Sequence, residues 1–516
     1  LICSMRGFLV DTDYVNVDGK TFVQLFGRLE NGQSFVVLNE FEPYFFIREK
    51  DQLKIKSLVK DCKVEETNFF NFKHESVLKI VCPNQEDLNK IVKSIHEEEI
   101  NTFEGDIRPN FRFIIDNDLK GSVEIKGESS FSLQKKNFSG SQFATRDNKK
   151  IVSGELLKTN ETQLSNIASQ DSYTDYENSE RVDRVYRDVG VFPSDFVPKL
   201  KILSIDIESG KPDSGSKGGL YCIGLYSEGY EKTFMVTDKK IVGMVSCKDE
   251  EECLIKFKEE VIKFDPDIIT GWNFIQFDLQ YLQTLFRKYR ISFDIGRTNE
   301  NTRLKIESNF FRSSSANVPG RQMIDGLSFI KDPFIQEAPS IKQAKFESFT
   351  LENVSQEILG KGKLIKGESR HEEIEALYYS KNSADLKKLV DYNMLDCKLV
   401  YEILQKTKMI ELAIERSQLT GMQFDRISAT IASFDSLYIR EARKRGIVSP
   451  TTRFNVKEKG IIGGYVMSVK AGIYHNVLIF DFKSLYPSII KTFNIDPSSY
   501  LEKKEKAREA HHNIKK

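Results

Sequence analysis

Leu200-Lys-Ile-Leu-Ser-Ile-Asp-Ile-Glu208 is the stretch that decides the fold. Its apolar, partly β-branched run predicts a buried strand. The run closes on Asp206 and Glu208, two residues apart. A strand repeats every two residues, so both carboxylates project from one face. Like charges side by side in an apolar strand are unfavourable unless compensated, and a divalent cation compensates them. Taken alone, the pair reads more simply as a strand end with two solvated acids.

Downstream, Leu220-Tyr-Cys-Ile-Gly-Leu225 predicts a second strand and residues 249–263 a helix. A strand over Asp267-Ile-Ile-Thr270 and a helix from Asp278 to Arg290 follow. Strands alternating with helices indicate an α/β layer. Between the last two lies Gly271-Trp-Asn-Phe-Ile-Gln-Phe-Asp278. Asn273 suits a hydrogen bond to backbone or to a sugar hydroxyl. Asp278 opens the helix and by itself reads as an N-cap. Residues 384–407 predict one helix, on which Tyr392 and Asp396 stand at i and i+4, on a shared face. Alone, they are a surface pair. Further helices are expected over 411–445.

Upstream, residues 5–48 read as a small antiparallel sheet. Phe8-Leu-Val10 runs into an acidic turn, and Asp18-Gly19 and Asn31-Gly32 mark hairpin tips. Helices over 50–62 and 85–97 flank a strand at Ser76-Val-Leu-Lys-Ile-Val81. Residues 127–185 are polar, and read as a long loop or insertion, with a surface β-appendage as the competing reading. Past Gly460 strands return. Val477-Leu-Ile-Phe-Asp481 is the clearest, and it runs into Phe482-Lys-Ser-Leu-Tyr-Pro-Ser-Ile489. An Asp ending a buried strand is a candidate metal ligand, and the turn after it exposes N–H groups to phosphates.

At 516 residues the chain suggests several domains. Lys plus Arg is 76 and Asp plus Glu is 76, so net charge argues neither for nor against nucleic acid, and any groove for it would have to come from local clustering. The seven Cys are scattered, with no Cys-x-x-Cys, which predicts reduced thiols rather than a disulfide framework or zinc site. No apolar run reaches the roughly 18 residues of a membrane span. Met5 is read as the initiator, with residues 1–4 upstream of it.

Together, Asp206-Ile-Glu208, Asn273-x-x-x-Phe277-Asp278 and Tyr392-x-x-x-Asp396 resemble the exonuclease motifs of the family B DNA polymerases. Asp-Phe-Lys-Ser-Leu-Tyr-Pro-Ser-Ile at 481–489 resembles motif A of their palm. The resemblance spans about residues 5–500, outside the polar stretch, and leans toward bacterial DNA polymerase II and archaeal relatives. It implies an α/β and α+β multidomain chain: an N-terminal sheet domain, an RNase H-like DEDDy 3′-5′ exonuclease domain and the start of a polymerase palm. The expected boundaries are 5–126 for the N-terminal domain, 127–198 for the insertion and linker, and 199–408 for the exonuclease. A helical linker (409–454) and a partial palm (455–516) complete the chain.

The resemblance also implies roles. Two magnesium ions per active site are expected, with manganese able to substitute: one on Asp206, Glu208 and Asp396, the other on Asp206 and Asp278. Tyr392 would orient the attacking water. Asn273 and Phe277 would hold a frayed 3′ end, although Phe277 reads equally well as a core residue. In the palm, Asp481 and the Phe482 backbone would bind metal. Ser484, Leu485 and Tyr486 would line a dNTP, with Tyr486 excluding ribose. Gly463 and Gly464 fall where the family has a DNA-contacting Tyr-x-Gly-Gly segment, with Ile461 in place of the Tyr. The archaeal relatives' uracil-sensing pocket would place Tyr14, Pro43 and Phe45 in its lining. Nothing matches the later fingers motif or the Asp-Thr-Asp palm turn, so a truncated chain or a split half is expected.

The implied function is DNA-directed DNA synthesis with proofreading, the chain alone supplying only the exonuclease. Partners would be primer–template DNA and single-stranded 3′ ends, dNTPs once the palm is completed, a C-terminal polymerase half and a sliding clamp. No membrane is implied; the location is cytoplasmic, nucleoid-associated. The rival readings are a stand-alone exonuclease with a palm remnant and a non-catalytic DNA-binding subunit.

Overall fold

A computed structural model describes residues 4–131, 180–210, 219–307, 314–364, 370–426, 429–452, 463–465, 467–468 and 470–499. The chain divides into two units, Leu1–Phe41 with Pro109–Leu437, and Glu42–Arg108 with Tyr438–Lys516. These boundaries cut through the expected N-terminal domain. Most of the polar stretch, and Ile461, lie outside the described residues.

The first unit holds two sheets. One is seven-stranded and built on the meander Ser4–Val17, Lys20–Leu29 and Ser34–Phe41. The first of these strands runs straight through Asp11-Thr-Asp13, where an acidic turn was expected; a register shift between Leu9 and Asp11 absorbs the irregularity. Asp18 and Gly19 do form the tip, both at positive φ. The flanks of the polar stretch belong to this sheet too, since Ser129–Phe131, Arg184–Arg187 and Gly190–Pro193 are strands in it.

The second sheet is six-stranded. Ile202–Ser209 pairs antiparallel with Leu220–Ser227, which pairs antiparallel with Tyr230–Val236. On its other side Ile202–Ser209 pairs parallel with Ile268–Gly271, which pairs parallel with Gln322–Asp325. The strand period sorts the core. Leu203 and Ile205 pack on one face with Phe257, Val261, Leu282 and Phe286 of helices Glu250–Phe264 and Gln280–Lys288. Ile202 packs on the other face with Leu399, Val400 and Ile403 of helix Ser383–Lys406. Asp206 and Glu208 share the parity of Ile202, so the strand aims them at the helix that carries Asp396.

A buried ionic cluster joins the two sheets of this unit. Arg28 Nε donates to Asp267 Oδ2 at 3.0 Å, and its Nη2 to the Asp265 carbonyl at 2.7 Å. Arg297 donates to Asp265 at 2.9 Å and to Asp267 at 2.7 Å, and Arg321 to Asp265 at 2.9 Å. All five side chains are at most 2% exposed. Burial by itself would raise the Asp267 pKa, but the guanidiniums of Arg28 and Arg297 outweigh it and hold the carboxyl below the usual aspartate range.

In the second unit a four-stranded antiparallel sheet packs on helix Gln85–Glu97 through Leu88, Val92 and Ile95. The helix expected over 50–62 is reduced to Glu49–Asp51 and Gln52–Ile55. Lys63–Phe70 is an additional strand, hidden in the sequence because most of its side chains stay exposed. Its lead-in brings together two thiols that looked unrelated, Cys62 and Cys82, with Sγ atoms 3.5 Å apart. Phe45 is fully buried in the core with Ile47, Leu78 and Ile80, so it lines no open pocket. Val477–Asp481 is not a strand. It joins no ladder, and Ile479 and Phe480 are 91% and 86% exposed. Extended backbone holds its shape only when its N–H and C=O groups find partners, and the described residues offer none there. Pro487 lies in the first turn of helix Leu485–Phe493, where the missing N–H breaks no bond.

Candidate metal centre

Oxygens of Asp206, Glu208 and Asp396 lie within 4.8 Å of one another. The strand contributes the first two from one face, and the helix Ser383–Lys406 brings the third across to them. Asp396 is 3% exposed and Tyr392 1%, so the two are not a surface pair. Asp396 Oδ1 is buried with no hydrogen-bond partner. Three converging carboxylates, one with a buried and unpartnered oxygen, offer what a hard divalent cation requires of its site. The donor set therefore fits such an ion.

Asp278 enters from a different element. It lies inside a π-turn, Ile275–Leu279, and does not cap the following helix. Its Oδ1 accepts from the backbone N–H of Ile207, between the two strand acids, at 3.0 Å. Burial first, and the charge of Asp206 second, push its pKa well above the usual carboxylate range. The turn is held by Asp325, at the end of the neighbouring strand, whose Oδ2 accepts from Ile275 N at 3.2 Å. Its Oδ1 accepts from Ser328 N at 3.1 Å. Asn273 takes a left-handed φ of 59° at the start of the turn. Phe277 is 64% exposed, which removes the core reading and leaves its ring face free for another partner.

Three residues here escaped the reading of the sequence. Lys363 Nζ donates to Asp396 Oδ2 at 2.5 Å and to the Tyr392 hydroxyl at 3.3 Å. It lies 33 residues before Asp396 in a loop, so no periodicity announces it. Asn393 Nδ2 donates to Asp206 Oδ2 at 2.8 Å. Asp325 was legible in part, since Asp-Gly-Leu-Ser after an apolar run is a helix-start pattern.

The palm motif assembles nothing comparable. Asp481 is exposed, Phe482 is 75% and Tyr486 78% exposed, and Gly463 and Gly464 lie in no regular element. Ser484 and Leu485 begin the helix that runs to Phe493. Among the described residues, Asp206, Glu208 and Asp396 are the one group of three or more acids placed to hold a metal ion.

Residues 100–354 match the model of the DNA polymerase family B exonuclease domain, and residues 427–516 that of DNA polymerase family B. The chain belongs to the family B DNA polymerases. DNA polymerase II of Escherichia coli is 36% identical over 319 residues, covering 60% of this chain and 38% of that protein. A DNA polymerase of Thermococcus litoralis is 26% identical over 509 residues, covering 96% of the chain and 25% of the relative. One from Archaeoglobus fulgidus is 24% identical over 515 residues, covering 96% and 55%. This family B chain thus spans well under two thirds of each relative's length. The solved family B DNA polymerase of Pyrobaculum calidifontis matches the fold with a TM-score of 0.66 at 22% identity, over 96% of this chain and 58% of that one. No helix among the described residues is long and apolar enough to cross a membrane.

Proposed function

We propose that this site removes nucleotides from the 3′ end of a DNA strand, as the editing centre of a family B DNA polymerase. The observation that carries the reading is the convergence of Asp206, Glu208 and Asp396, one Asp396 oxygen being buried and unpartnered. Magnesium, with manganese as its substitute, would supply a nucleophilic water and Lewis-acid polarisation of the scissile phosphate. Asp206, Glu208 and Asp396 would hold one ion, and Asp206 with Asp278 the other. Water oxygen then bonds to phosphorus, the P–O3′ bond breaks, and the shortened strand keeps a 3′-hydroxyl. Tyr392, whose hydroxyl is held by Lys363 at 3.3 Å, orients that water. Phe277 stacks on the terminal base and Asn273 bonds its sugar.

Nucleotidyl transfer would belong to a longer polypeptide or a C-terminal polymerase half. There Asp481 and the Phe482 backbone would bind metal, Ser484, Leu485 and Tyr486 the dNTP, and Gly463 and Gly464 the primer–template. A sliding clamp and a cytoplasmic, nucleoid-associated location go with that reading.

The test is a 5′-labelled single strand and a mismatched primer–template, incubated with magnesium or manganese. Shortening from the 3′ end is expected, and Asp206→Ala/Glu208→Ala lowers its rate on the order of 10³-fold by removing several kcal/mol of metal-based stabilisation. Shortening that survives the double substitution rejects the reading. Primer extension by the chain alone rejects the division of labour.

A further inference from the structure

We propose that Asn393 is a positioning residue for the Asp206 carboxylate, and that Gly224 is the opening through which it reaches. The inference rests on the exonuclease reading of the site.

Asn393 is fully buried in the helix Ser383–Lys406, three residues before Asp396. Its amide nitrogen carries two hydrogens, and both go to one residue: Nδ2 donates to Asp206 Oδ2 at 2.8 Å and to the Asp206 carbonyl at 3.1 Å. Side chain and backbone of Asp206 are thereby held together. The other end of the same amide, Asn393 Oδ1, is buried with no hydrogen-bond partner. Turning the amide over would set that oxygen against two acceptor oxygens of Asp206, so Asp206 dictates its orientation. A residue serving only to pack would be better as leucine, which leaves no buried carbonyl unsatisfied. The donor pair is the feature that outweighs this.

The strand opposite has made room. Gly224 is the register partner of Asp206 in the antiparallel ladder. Its φ is not in the left-handed region, so no turn demands glycine there. A Cβ at this position would lie 2.2 Å from Asn393 Oδ1 and 3.0 Å from Cys397 Sγ. Any side chain would push the helix, and with it the amide, off Asp206. Groups that orient metal-binding carboxylates typically change metal affinity roughly 10- to 100-fold when removed.

Asn393→Leu keeps the buried volume and removes the donors, and Gly224→Ala keeps the Asn393 side chain but displaces it. Thermal melting without metal checks that each variant folds. Manganese binding is followed by the electron-spin-resonance signal of the free ion, and exonuclease rate is measured against manganese concentration. Both variants are expected to need roughly 10- to 100-fold more manganese for half-saturation in both measurements. Their rates at saturating manganese recover to near that of the parent. A folded variant that binds manganese like the parent, or loses rate with no change in manganese dependence, overturns the positioning role alone. A parent chain with neither Asp206-dependent manganese binding nor 3′ shortening overturns the exonuclease reading and this inference with it.

Discussion

Two strand-like runs, each ending in aspartate, fare differently in this molecule. Ile202–Ser209 is paired on both sides, antiparallel with Leu220–Ser227 and parallel with Ile268–Gly271, and its acids meet a third from a packed helix. Val477–Asp481 has the more continuous apolar run, yet it pairs with nothing described and its side chains face solvent. Both carry family motifs to the residue. The difference lies in neighbours: a metal site is a property of several elements, and a motif contributes only its own share. Hydrophobicity without a partner surface does not make a strand.

Amide hydrogen exchange puts this contrast to its strongest test. Amides of residues 202–207 should exchange only through global opening, and those of 477–482 near the unprotected rate, a gap on the order of 10⁴-fold or more. Equal protection, read by mass spectrometry of peptides, would dissolve the comparison. Asp267→Ala comes next, because it strips a buried carboxylate from the guanidiniums of Arg28 and Arg297 and should destabilise the first unit by about 3–5 kcal/mol in urea melts. Its pH dependence has a definite sign. The folded pKa of Asp267 lies below its ordinary value, so its contribution is present above the usual aspartate range and is lost as pH falls through the lower, folded value. The stability gap between parent and Asp267→Asn should narrow on that acid limb, and a constant gap would show that the guanidiniums do not hold its charge. A smaller effect is expected of Phe277→Ala. It should weaken binding of a single-stranded 3′ end by about 1–3 kcal/mol, measured by fluorescence anisotropy in calcium to suppress cleavage. Smallest of all, Tyr486→Ala should leave the chain's stability within about 0.5 kcal/mol, since the ring is exposed. A larger loss would place Tyr486 in a packed environment after all.

The elements of the exonuclease layer were legible because each is local. The apolar run before Asp206, the strand before Gly271 and the long helix around Tyr392 announce themselves by period and length. The convergence of Asp206, Glu208 and Asp396 was legible for the same reason, two by strand parity and the third through its motif. The acidic segment at Asp11–Asp13 was misread as a turn because its neighbours in the sheet, rather than its own propensities, keep it extended. Phe277 had two readings of equal standing until its exposure removed the core one.

By itself, then, the sequence determined the strand and helix alternation, the carboxylate set and the family, since these depend on spacing along the chain. Tertiary structure alone decided that Lys363 neutralises Asp396, that Asn393 grips Asp206 through the space left by Gly224, and that three arginines and two aspartates join the sheets. It also decided that Val477–Asp481 pairs with nothing among the described residues. Each of these turns on which distant groups share a few ångströms of low-dielectric space, and sequence separation carries no record of that distance.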